Sequence, residues 1–114
     1  MREIKRDKYF RDRESTFVIL SIGCAKCGKR ILLYQKDGRG GLKRLYLNRI
    51  LAPEILASLQ DAIRDAKEMK ILKCECGADI GIPMLHREGR LAFWLIHGAF
   101  SKNKYKEEQQ CPKG

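Results

Sequence analysis

The sequence predicts an α+β domain, a small antiparallel β-sheet with one helix, closed at one point by cysteines. Three observations carry this prediction. Two tight cysteine pairs, Cys24-Ala-Lys-Cys27-Gly28 and Cys74-Glu-Cys76-Gly77, stand 46 residues apart, each followed by glycine. Runs of β-branched and aromatic residues lead into and out of both pairs. A single stretch, 53–70, repeats its apolar residues at helical spacing.

In chain order, residues 1–15 alternate in charge and lack apolar periodicity, so they are expected to form a flexible arm or a short, poorly anchored helix. The domain proper is expected over 16–101. Phe17 to Ile22 is a strand entering the first cysteine pair, and Ile31 to Gln35 is a strand leaving it. Asp37-Gly38-Arg39-Gly40-Gly41 is a glycine-rich turn, after which Leu42 to Leu51 is expected to return as a third strand in a hairpin with the second. Pro53 opens the helix, whose stripe is Ile55, Leu56, Leu59, Ala62, Ile63, Ala66 and Met69. Ile71 to Lys73 enters the second pair and Ala78 to Leu85 leaves it. His86-Arg87-Glu88-Gly89-Arg90 then turns the chain into Leu91 to Ile96, and 102–114 is expected to be a flexible polar tail.

Cysteine spacing is the strongest chemical signal. A thiolate is the soft ligand that zinc prefers, and two thiolates in one tight turn can fill two corners of a tetrahedron. Cys24, Cys27, Cys74 and Cys76 are therefore expected to hold one structural zinc per chain, with no coordination position left open for catalysis. Iron can occupy the same kind of site. Glycine after each pair permits the positive φ that such a turn needs, although the one-residue spacer of the second pair is shorter than usual. Cys111 reads as a free exposed thiol, or a reserve ligand should the short pair fail to deliver both of its own. Neither a signal peptide nor a run of about 18 apolar residues is visible, so the expected compartment is cytoplasmic, the thiols reduced and the membrane excluded as a partner.

On Cys24, Cys27, Gly28, Cys74, Cys76 and Gly77 the chain resembles the zinc-ribbon class, in which two knuckles sandwich one zinc. The resemblance covers roughly 16–100 and implies metal binding without implying an activity. A weaker resemblance is to the Mss4-like β-tent proteins, which bring two cysteine pairs together across a β-sheet and include small-molecule enzymes.

Charge bounds the partners. The formal net charge is +10, and residues 26–49 carry eight basic residues against the single acid Asp37. A polyanion is the natural partner, RNA ahead of DNA, and the expected contacts are Lys29, Arg30, Lys36, Arg39, Lys43, Arg44 and Arg49, with Tyr34 and Tyr46 stacking on unpaired bases. The structural alternative is that the tyrosines pack in a sheet and the lysines solubilise it. Leu91 to Ile96, six apolar residues in a row, could instead meet the helix, a protein partner or a second copy of the chain. An enzyme is the least supported class. His86, His97, Asp79, Glu88 and Cys111 show no spacing of nucleophile, base and orienting group.

Overall fold

The computed structural model describes residues 1–105. Two four-stranded antiparallel sheets pack on a shared core. In the first sheet, β1 (Phe17–Cys24) lies between β2 (Arg30–Asp37) and β8 (Phe100–Lys104), and β4 (Ile50–Ala52) borders β2. In the second, β7 (Arg90–Leu95) lies between β3 (Arg44–Tyr46) and β6 (Asp79–His86), and β5 (Leu72–Lys73) borders β6. As expected, each cysteine pair sits at the bend of a hairpin, β1–β2 for the first and β5–β6 for the second. The hairpin over 86–90 also forms.

Alternation decides which side chains meet. Leu20 and Ile22 of β1 and Leu32 and Tyr34 of β2 point inward, onto Leu45, Leu72, Ile80, Phe93 and Leu95 of the second sheet. Each fully buried large apolar side chain contributes about 1.5–3 kcal/mol. The Leu91 to Ile96 strip divides accordingly: Phe93 and Leu95 enter this core, whereas Trp94 stays 45% exposed on the outer face.

The stretch 42–51 departs from the expected third strand. It divides between the sheets, β3 pairing with β7 and β4 pairing with β2, joined by a 3-10 turn over Leu47–Arg49. The apolar spacing explains the division. Leu45, Leu47 and Ile50 are all buried, and the three-residue step from 47 to 50 breaks the period of two that a single strand requires.

The helix is also shorter than expected. Its residues form two adjoining turns, α2 (Glu54–Ala57) and α3 (Leu59–Ala62), and the backbone becomes extended at Ile63. Asp65 then accepts from the Lys67 amide and the Glu68 carboxylate accepts from the Arg64 amide. These side-chain contacts compete with the helical ladder, while Ile63 and Met69 still reach the core.

Residues 1–15 lie against the body rather than extending as a flexible arm. The Arg2 amide donates to the Leu51 carbonyl at 2.8 Å, and Lys5 and the Gln35 side chain exchange two hydrogen bonds, both 2.8 Å. A short helix, α1 (Lys8–Asp12), is capped by Asp7 and buries Phe10 against Phe17. The anchor is Arg49, 1% exposed. Its Nε donates to Asp37 at 2.8 Å and its two terminal nitrogens donate to Asp7 at 2.7 and 3.1 Å. Hydrogen bonds from Arg49 and the Phe10 amide hold the Asp7 carboxyl down at about 2, against the cost of burial. The proposed boundary at 102 also shifts, because Lys102–Lys104 belong to β8 and pair with β1.

Arg49→Met leaves Asp37, almost fully buried, without its cation, so it is expected to lower the unfolding free energy by about 3–5 kcal/mol. Urea denaturation of the metal-loaded protein checks this, and a loss below about 1 kcal/mol would show that the network is not an anchor.

Candidate metal centre

Cys24 is the last residue of β1, and the first turn closes when the Gly28 amide donates to the Cys24 carbonyl at 2.8 Å. The second turn is one residue tighter, closing from the Gly77 amide to the Cys74 carbonyl, also 2.8 Å. Gly28 and Gly77 have φ values of 82° and 98°, a region that side-chain-bearing residues rarely adopt. The short spacer of the second pair is thus accommodated by a shorter hydrogen-bonded turn. Cys24 and Cys74 additionally pair in register with the strands, their amides donating to the Lys29 and Ala78 carbonyls at 2.9 Å each.

The four sulfurs converge. Cys24 Sγ lies 3.7 Å from Cys76 Sγ, Cys27 Sγ lies 3.5 Å from Cys74 Sγ, and all four fall within 4.8 Å of one another. A tetrahedral metal–thiolate centre with bonds of about 2.3 Å has sulfur–sulfur edges of about 3.8 Å. The donor set therefore fits a metal ion, each pair coming from a different sheet. Cys24 and Cys74 are buried and Cys27 and Cys76 exposed, which leaves the site at the surface of the core. Lys29 and Glu75 bridge the two turns at 2.7 Å, but both are largely exposed and the pair adds little.

Electrostatics point the same way. Amide hydrogen bonds from Cys27 and Lys26 help to pull the Cys24 thiol down to about 7 despite desolvation. The Cys74 thiol also receives a favourable amide from Cys76, yet desolvation and the neighbouring sulfurs push it up to about 12. Four sulfurs this close cannot all ionise cheaply without a cation between them.

The nine expected nucleic-acid contacts are not on one face. Tyr34 is in the core and its hydroxyl accepts from the Tyr46 amide at 2.9 Å, so it is not free to stack on a base. Arg49 is likewise removed, being buried against two aspartates. Tyr46 has its ring covered by Arg90 at 3.6 Å. Lys29 belongs to the cysteine turns, and Arg30 bonds Ser21 and lies over Tyr105. Lys36, Lys43 and Arg44 do come together, lining a cleft beside the glycine turn, and Arg39 is highly exposed near it. Arg13 and Arg90 join that cleft without any sequence signal, because one comes from the segment expected to be flexible and the other, expected in a turn, opens β7.

Of the remaining candidates, Asp79 pairs with Lys73 and Glu88 with Lys8, His86 contacts the Tyr46 hydroxyl at 3.2 Å, and His97 is exposed between β7 and β8. Cys111 lies outside the described residues. Among those residues, no helix is long and apolar enough to cross a membrane. No protein-family model matches the chain, and no curated protein or solved structure does so either.

Metal binding at such a site contributes on the order of 10 kcal/mol, comparable with the whole stability of a small domain. Cys27→Ser combined with Cys76→Ser is therefore expected to reduce bound metal from one ion per chain to none, and to abolish the cooperative thermal transition. Elemental analysis and circular dichroism check the pair of effects; a metal-free double variant that melts like the parent would remove the metal from the folding account.

Proposed function

We propose that this chain is a zinc-stapled nucleic-acid-binding module. Four cysteines at tetrahedral spacing are the donor set that zinc selects, and with all four positions filled by protein its contribution is to stability. Each pair comes from a different sheet, which favours the Mss4-like resemblance over a plain ribbon.

The observation that carries the binding role is unopposed positive charge. A tetrathiolate zinc centre formally lowers the net charge of +10 by two, leaving the protein strongly basic. Among the described residues, Lys36, Lys43, Arg44, Arg13 and Arg90 have no carboxylate within ion-pairing distance, although other cations do. Such a surplus raises the local concentration of polyanions and supplies phosphate contacts. The basis is electrostatic and holds for RNA and DNA alike: with Tyr34 buried and Tyr46 covered, base stacking is not part of the reading.

The outer face of the second sheet favours a second reading, assembly. Trp94 and Ile82 are register partners there, 45% and 47% exposed. A concentration-dependent dimer in sedimentation that is lost in Trp94→Lys would support it.

Fluorescence anisotropy with labelled single-stranded RNA and DNA 20-mers tests the main reading. The logarithm of affinity is expected to fall linearly with the logarithm of salt, with a slope of about −2 or steeper, as at least three phosphate contacts to a single strand require. Absent or salt-independent binding would overturn it.

A further inference from the structure

We propose that the cleft between the end of β2 and the segment leading into β3 is a binding site for a terminal phosphate group, a phosphate monoester. The cleft has a volume of about 290 Å³, near the lower bound for small-molecule sites of roughly 300–1,000 Å³. That is room for one phosphate and the sugar attached to it. The inference deepens the electrostatic reading above, but it needs no polymer.

Its lining is cationic. Arg13, Lys36, Lys43, Arg44 and Arg90 face the cavity. The acid there is Asp37, already engaged by Arg49 and by the Gln35 amide at 2.8 and 2.7 Å. Among the described residues none of the five pairs with a carboxylate, and four of them find other partners, Arg13 by donating to the Arg39 carbonyl at 3.0 Å. Arg90 is stacked between Tyr9 and Tyr46, its guanidinium carbon 3.9 and 3.6 Å from the two ring centroids. Arg44 lies over Trp94, and Lys36 donates to the Gly38 carbonyl.

Among the described residues, two buried nitrogens, Arg44 Nε and Arg90 Nε, have no hydrogen-bond partner. A buried unsatisfied donor costs about 1–3 kcal/mol, more when charged, and both belong to arginines that line the cleft. Burial and the adjacent arginines Arg49 and Arg13 press the Arg90 and Lys36 charges in the direction that a bound dianion would relieve.

Geometry favours a monoester over a chain of phosphodiesters. The guanidinium plane of Arg90 is fixed by its two tyrosines, so little ordering entropy remains to be lost when it binds a planar face of phosphate oxygens. Gly40 and Gly41, on the rim, have open space where a Cβ would stand, leaving room for phosphate oxygens to approach the backbone. A terminal phosphate carries up to two charges and three terminal oxygens, enough to engage several donors at once, whereas an internal phosphodiester carries one charge.

Calorimetry and anisotropy on the metal-loaded full chain test the site, using inorganic phosphate, a nucleoside monophosphate, and one oligonucleotide sequence with hydroxyl, 5′-phosphate or 3′-phosphate ends. A phosphorylated end is expected to tighten binding about tenfold over the hydroxyl end, and excess inorganic phosphate to erase that advantage. Arg44→Gln should erase it too. Lys43→Gln, an exposed position whose replacement leaves the core untouched, should reduce it about threefold, while the remote Lys67→Gln should not.

Binding of the monophosphate with the same variant sensitivity, but no oligonucleotide binding, would keep the site, assign it to a small phosphorylated molecule and defeat the nucleic-acid reading. Equal binding of phosphorylated and hydroxyl ends, with no heat from inorganic phosphate, would overturn the site while leaving the nucleic-acid reading standing.

Discussion

Four sulfurs from two sheets have to meet at one point, and much of the molecule is arranged so that they can. Each sheet contributes one hairpin bend, each bend carries two cysteines, and a metal ion held between them would tie the sheets across the core. A chain of this length has too little apolar interior to be strongly stable by burial alone. Hence the tie matters disproportionately. Such a tie would fix one end of the interface between the sheets, with Cys24 and Cys74 buried at the margin of the same cluster that contains Ile22, Leu72 and Ile80.

From the turn between the sheets, a second tie runs to β2 and the N-terminal segment through Arg49. Its side chain comes from the 3-10 turn at which the chain passes from the second sheet to the first, and it binds Asp37 at the end of β2 and Asp7 before α1. The N-terminal segment is thereby ordered by charge and hydrogen bonding more than by apolar contact. The same arrangement builds the basic cleft: once Arg49 consumes both aspartates, the neighbouring Lys36, Lys43, Arg44 and Arg90 are left without carboxylates. A structural ion network and a proposed binding site share one cause.

What could be read from the sequence was local. Cys24, Cys27, Cys74 and Cys76 announce themselves by spacing, and the strands beside them by composition, because a hairpin bend and its flanks are adjacent in the chain. The α+β class followed from those elements and one helical stretch. What could not be read depended on partners far away. Residues 42–51 look like one strand until Leu45 and Ile50 are claimed by a core that both sheets share. Asp7 and Arg49 are 42 positions apart, and nothing in the charged N-terminal pattern says which acid will be buried. Tyr34 alternates with basic residues as a stacking platform would, yet alternation in a strand places it equally well in the core, where it lies. Arg90 reaches the cleft from the start of β7, held between Tyr9 and Tyr46, which come from distant parts of the chain.

X-ray absorption spectroscopy at the metal edge, on protein purified without added metal, tests the central tie most directly. Four sulfur scatterers at about 2.3 Å, with no nitrogen or oxygen in the first coordination sphere, are the result predicted by the convergence of both cysteine pairs. A centre with two or three sulfurs completed by lighter atoms, or a protein carrying no metal, would contradict the claim that one ion joins the two sheets.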